Sequence, residues 1–229
     1  MRPDVIPSEF YKKCWRTIKD DFIVADWHFF NTNNLPSQRK STFITLIPKV
    51  KDPITAKEFR PISLCNVCYK IISKILVNRL KFVLPFISQE QSAFVNDQVI
   101  MNNLLIAQEI LHSRGDKRGK QLMTLKINME RAYDLMRWDF IKASWWNMIF
   151  DDKFIELVMG CICEPVFAVF VNGSLISWFR STIELHLGNP LSPYLFVLRA
   201  KVLMRLIKHE EGRGRLTGFS LDNGQWFIS

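Results

Sequence analysis

No apolar run among the 229 residues is long enough to cross a bilayer. The amino terminus, Met1-Arg-Pro-Asp-Val-Ile6, lacks the apolar core of a signal peptide. A membrane role therefore has no support, and an intracellular protein with reduced thiols is expected. Cysteine is scarce and poorly placed for zinc. Cys65-x-x-Cys68 abuts an apparent helix, Cys161-x-Cys163 sits inside an apolar run and Cys14 stands alone, so buried thiols are read here in preference to a metal site. Acid is the other shortage. Against 31 Lys and Arg stand only 22 Asp and Glu, a net charge of +9. Between Gln38 and Lys81, ten Lys and Arg meet only Asp52 and Glu58, so +8 of that excess is local. A solvated face would account for a scattered excess, but a local one is the footprint of phosphate binding.

What is present is enough for a core. Eighteen Phe, seven Trp and a hydrophobic share of 48% exclude disorder and support one large domain or two small ones. Ser8 is placed to cap a helix running to Phe30, with Phe10, Cys14, Ile18, Phe22 and Phe29 on one face. A turn-rich connection precedes a strand over Thr42–Ile47, closed by Pro48. Spacing predicts a helix over Tyr69–Val83, with Ile72, Ile75, Leu76, Leu80 and Val83 inward and Pro85 as its stop. A second helical pattern covers Val99–Ser113, before a charged loop whose Arg114-Gly-Asp116 triplet is read as solvated loop chemistry. Leu122–Asn128 reads as a short strand running into a helix that carries Tyr133, Met136, Phe140 and Ile141. Helices are expected to Phe150 and over Asp151–Cys161, then a hairpin over Phe167–Phe179 around Asn172-Gly173. Ser192 and Pro193 are placed as N-cap and first residue of a helix running towards Glu211. Spacing alone gives a mixed α+β basic protein.

Several stretches also resemble the reverse transcriptases of LINE-type (non-LTR) retrotransposons, especially the plant ones. Lys126-Ile-Asn-Met-Glu-Arg-Ala-Tyr-Asp134 is similar to their first carboxylate motif, with Asn128 where the family has its catalytic Asp. Ile47-Pro-Lys49 and Lys57-Glu-Phe-Arg-Pro-Ile-Ser-Leu64 resemble the finger motif, and Ser88-Gln-Glu-Gln-Ser-Ala-Phe94 another signature. Gly188-Asn-Pro-Leu-Ser-Pro193 resembles the second palm motif, Gln-Gly-Asp-Pro-Leu-Ser-Pro, with Leu187 at the Gln position and Asn189 at the Asp. The resemblance runs from Pro3-Asp4 to Ser229 with its motifs in the family's order.

It implies an α+β right-hand polymerase fold, with a fingers region over about 1–115 and an incomplete palm over 116–229. Lys49 and Arg60 would then face template or nucleotide phosphate, although Arg60 could instead pair with a helix end or with Glu58. Gly188 would let backbone approach the nucleotide, and Tyr133 would be either a gate against the sugar 2′-hydroxyl or an ordinary core ring. In the family, carboxylates hold two magnesium ions. Asn128 offers a neutral amide where magnesium wants charge, and after Pro193 the sole Asp is Asp222, with no Ala-Asp-Asp turn. The chain is accordingly read as a degenerate, truncated copy with no metal bound as it stands, catalytically inactive and weakly bound to an RNA or DNA template-primer. The alternatives are a non-catalytic nucleic-acid-binding module that keeps the basic fingers, and a remnant with no molecular role.

Overall fold

The computed structural model describes residues 3–4, 6–87, 101, 104–105, 108–109, 137–146, 150–181, 188–216, 219–220 and 226–227. The expected strand over 122–128, the start of its helix and the charged loop over 114–120 lie outside these residues. The chain divides into two compact units, Met1–Arg79 with Arg131–Ser192, and Leu80–Glu130 with Pro193–Ser229.

The first unit is built on a mixed sheet in the order β2-β1-β3-β4, with β5 also paired to β3. β1 (Ser41–Pro48) runs antiparallel to β2 (Phe59–Cys65), with Thr42 opposite Cys65 and Ile47 opposite Arg60. On its other side β1 runs parallel to β3 (Val166–Val171), Phe43 opposite Ala168. β2 is an edge strand of the described sheet, which is where Pro61 is tolerated, since proline has no N–H to give a ladder. β3 turns at Asn172 and Gly173, both at positive φ, into β4 (Ser174–Leu175). Two consecutive left-handed residues make the turn whose twist matches a two-residue hairpin. β5 (Phe179–Arg180) then pairs with the start of β3.

α1 (Ser8–Thr32) ends at Asn33, whose left-handed backbone returns its N–H to the Phe29 carbonyl. Its N-cap is Pro7, with no side-chain cap, so Ser8 is the first helical residue and not the cap its type suggested. Of the expected inward face Phe29 is buried, Cys14, Ile18 and Phe22 are half-buried and Phe10 is exposed. α2 (Ser37–Lys40) is one turn. α3 (Val67–Ile87) begins two residues before the spacing suggested and continues through Pro85. Both differences have local causes. Asn66 accepts the Cys68 N–H and Asp4 accepts the Val67 N–H, at 3.0 Å each, so two otherwise orphaned donors of the first turn are met. Pro85 deletes one intrahelical bond in the last turn, and the helix ends two residues later.

In the first unit α3 buries Tyr69, Ile72, Leu76 and Val77 and leaves Lys74 and Asn78 outside. α4 (Trp138–Trp146) and α5 (Asp152–Ile162) are locked by Trp145 stacked on Phe150, ring centroids 4.8 Å apart, with Phe154 behind. Asp151, expected as the first helical residue, takes the N-cap position of α5 without a side-chain bond.

In the second unit, α6 (Ser192–Gly212) ends in a surface cluster of Glu210 with Arg213 and Arg215, and Phe219–Ser220 pairs with Trp226–Phe227. Met101, Leu104, Leu105, Gln108 and Glu109 are helical, as the pattern over 99–113 required.

Asp4 joins two elements of the first unit: the carboxylate oxygen that caps α3 also accepts the Tyr11 hydroxyl at 3.2 Å. Replacing Asp4 with Ala should lower stability by about 1–2 kcal/mol, the usual worth of a helix cap. The check is a urea midpoint that falls with its slope unchanged.

Candidate nucleic-acid interface

Residues 188–192 form a turn that leads into α6. Gly188 has φ +107°, and a side-chain carbon there would stand 2.6 Å from the backbone carbonyl oxygen of Ser63 on β2. A rigid carbonyl cannot yield, so only glycine fits this approach. The next residue is sealed inside. Asn189 is 3% exposed; its amide nitrogen donates to the Tyr69 hydroxyl at 2.8 Å, and its side-chain oxygen accepts the Leu191 N–H at 2.9 Å. The Ser192 N–H closes the turn on the Asn189 carbonyl at 3.2 Å. The side chain that caps this turn is therefore Asn189, and the helix starts at Ser192, one residue before the expected first position at Pro193.

Tyr69, on α3, is 1% exposed, and burial drives its phenol well above its ordinary range, so the ring stays protonated. One turn further on, Ser73 lies 3.5 Å from the Cys161 sulfur of α5. Burial pushes the Cys161 and Cys163 thiols up to about 11 and raises Cys65 as well. Burial of this kind favours the protonated thiol, as in cysteines that pack as small apolar side chains. The expectation of buried cysteine holds for Cys65 and Cys161, while Cys14, Cys68 and Cys163 are half-buried and all five are free.

The basic region resolves into unequal parts. Lys49 donates through Nζ to the Lys57 carbonyl at 2.9 Å, tying the ends of the loop between β1 and β2. Inside that loop Glu58 accepts the N–H groups of Ile54 and Thr55, forming a capping box around the one-turn helix Ala56–Glu58. Glu58 is thus committed to the loop. Arg60, exposed on the edge strand, forms no ion pair among the described residues. Lys40 caps the carboxyl end of α5 through the Cys163 carbonyl at 3.1 Å, and Arg79 lies over the Phe30 ring.

Asn128, Tyr133 and Leu187 lie outside the described residues, so the geometry bears only on Lys49, Arg60, Gly188 and Asn189. The described residues contain no group of three or more His, Cys, Asp or Glu able to hold a metal. Asn128 offers a neutral amide where magnesium favours a charged carboxylate. Sequence reasoning missed Tyr69 and Ser63. The available signal was Asn189 itself, since an amide in an apolar turn has to find a buried partner.

The family model described as reverse transcriptase (RNA-dependent DNA polymerase) matches residues 47–219, a span that contains Lys49, Arg60, Tyr69, Gly188 and Asn189. The chain is 28% identical over 219 residues to the transposon TX1 149 kDa protein of Xenopus laevis, covering 95% of this chain and 16% of that protein. It is 22% identical over 186 residues to the retrovirus-related Pol polyprotein of the type-1 retrotransposable element R2 of Popillia japonica, covering 81% of this chain and 26% of the relative. A 62-residue stretch is 34% identical to a mitochondrial protein of Arabidopsis thaliana, covering 51% of it. The chain thus spans a small part of the two long relatives and about half of the short one.

Glu58 gives the loop a pH dependence of known sign. Hydrogen bonds from the Thr55 and Ile54 amides, in that order, hold its carboxyl below the ordinary glutamate value of 4.5. A carboxyl lowered on folding adds stability that is complete above the unfolded value and is lost as pH falls through the folded one. Amide exchange at Ile54 and Thr55, corrected for its intrinsic pH dependence, should therefore stay slow at pH 6 and accelerate below pH 4.5. Glu58→Ala should make it fast at both.

Proposed function

Since the chain belongs to the reverse transcriptase family, we propose that it is the template-handling portion of an RNA-directed DNA polymerase of a non-LTR retrotransposon, without polymerase activity of its own. In this reading residues 1–115 correspond to fingers and 116–229 to part of a palm. The observation that carries it is the edge strand β2, which presents an exposed guanidinium at Arg60 and, three residues on, backs the Gly188 turn at Ser63. Three residues of strand span about 10 Å, so a phosphate contact and a backbone wall lie within reach of one nucleotide of substrate.

Each residue takes a distinct part. Arg60 supplies a two-pronged, permanently charged donor suited to a phosphate. Lys49, whose ammonium is spent on the Lys57 carbonyl, shapes the loop and adds charge near the strand end. Gly188 offers backbone in place of a side chain, and Tyr133 would lie against the sugar. Asn128 is the reason for the second half of the proposal. In this family divalent metals serve the chemistry, and a neutral amide at Asn128 leaves charge on the attacking and leaving oxygens uncompensated. That same residue favours the neighbouring reading, a binding module that keeps the fingers and performs no chemistry.

Affinity for a primed RNA template should fall steeply with salt, and Arg60→Ala should weaken it and flatten the logarithmic slope by about 0.7, the share of one single-strand phosphate. An unchanged slope would remove Arg60 from the interface. The pure chain should incorporate no nucleotide with magnesium or manganese. Primer extension that disappears on changing Asn128 to Ala would overturn the inactive reading.

A further inference from the structure

Gly188 can form a wall only if its turn is held still, and one hold comes from α3. The turn meets the rest of the unit at two polar groups among others, the Ser63 carbonyl beside Gly188 and the Tyr69 hydroxyl bonded to Asn189. We propose that Tyr69 is a positioning residue for the turn over 188–192, and that its hydroxyl allows position 189 to carry either an amide or a carboxylate without moving Gly188. The proposal rests on the reading of Gly188 as a wall of the substrate site.

The chemistry is that of a group able to donate and to accept. A phenol has one O–H and two lone pairs, whereas an amide NH2 only donates and a carboxylate only accepts. With Asn189 in place, Nδ2–H donates to the Tyr69 oxygen, and the phenolic proton is left for the polar side of the pocket, where Ser73 and Cys161 lie. With a carboxylate at 189, the phenolic proton turns round and donates to it. In both cases Oδ1 stays on the Leu191 N–H, so the turn keeps its closing bond. The exchange of donor and acceptor is absorbed at the hydroxyl, inside a cluster of groups that can each reverse direction. A phenylalanine at 69 has the same shape and neither capacity. It would strand the Asn189 amide, and a buried polar group without a partner is relieved by letting the turn open to water. Position 189 is then mechanically equivalent with either side chain, and an amide there is not what removes the chemistry.

The test is hydrogen exchange by mass spectrometry on peptides spanning 188–192 and, as an internal reference, the β1–β3 ladder. It compares the natural chain with Tyr69→Phe, Asn189→Asp and both together. Tyr69→Phe should speed exchange at the Leu191 and Ser192 amides about tenfold or more, with the ladder changed far less. Asn189→Asp should stay within about threefold of the natural chain. The double variant should exceed the product of the two single effects, because the carboxylate has then lost the donor that accommodated it. A merely structural ring would loosen turn and ladder together, and that outcome would overturn the proposal. So would fast exchange in Asn189→Asp with Tyr69 intact.

If Tyr69→Phe fails to fold, Asn189→Ala breaks the same bond from the other side, together with the Leu191 N–H bond to Oδ1. It should open the turn while sparing the ladder, and a turn that stays closed would equally refute the assignment. Primed RNA template is bound in parallel. Its affinity should fall about threefold to tenfold in Tyr69→Phe and stay within about twofold in Asn189→Asp. A natural chain that binds no template would refute the substrate-site reading, while the exchange pattern would still judge Tyr69 on its own.

Discussion

A buried amide has few ways to be satisfied, and the placement of the candidate site follows from how this one is. Asn189 meets one donor and one acceptor inside the first unit, the Leu191 N–H and the Tyr69 oxygen. Because Tyr69 stands on α3 and α3 is fixed at its start by Asp4 and Asn66, the turn inherits the rigidity of a capped helix. Gly188 is then pressed against β2 closely enough to forbid any side chain. Helix cap, buried phenol, amide and glycine form one chain of constraints that ends at a backbone surface.

Charge, which pointed most directly to nucleic acid, is divided between two uses. Lys40 neutralises a helix end, Lys49 ties a loop, Arg79 lies over Phe30 and, in the second unit, Lys81 lies over Tyr194. These cations stabilise the fold. Arg60, Lys51 and Lys57 are exposed and form no ion pair among the described residues, and they share the β1–β2 hairpin with Ile54, which is 92% exposed. An arch so cationic and so open is unusual for a loop that serves only its own stability. Glu58 does not cancel it, because its carboxylate is turned inward on the Ile54 and Thr55 amides.

Periodicity made the local elements legible and left their partners hidden. The strand ending at Pro48, the Asn172-Gly173 hairpin, the inward face of α3 and the reach of α6 all follow from patterns within one element. Parallel pairing of β1 with β3 could not be read, since the two strands lie more than a hundred residues apart and their alternation is compatible with several neighbours. The cap on α3 was missed for the same reason: Asp4 reaches Val67 across 63 residues. For the site, residue types marked Gly188 and Arg60, but Tyr69 looked like one more apolar residue on a helix. Its function lies in a single oxygen atom whose partner is 120 residues away.

The central claim is that the Lys49–Arg60 hairpin and the Gly188 turn make one surface for a template-primer. Hydrogen exchange of the chain with and without saturating primed RNA template locates that surface directly. Slowed exchange over 49–60 and 188–192, with the α1 peptides unchanged, is the expected result. Protection confined to α1, or absent from both segments at saturation, would contradict it.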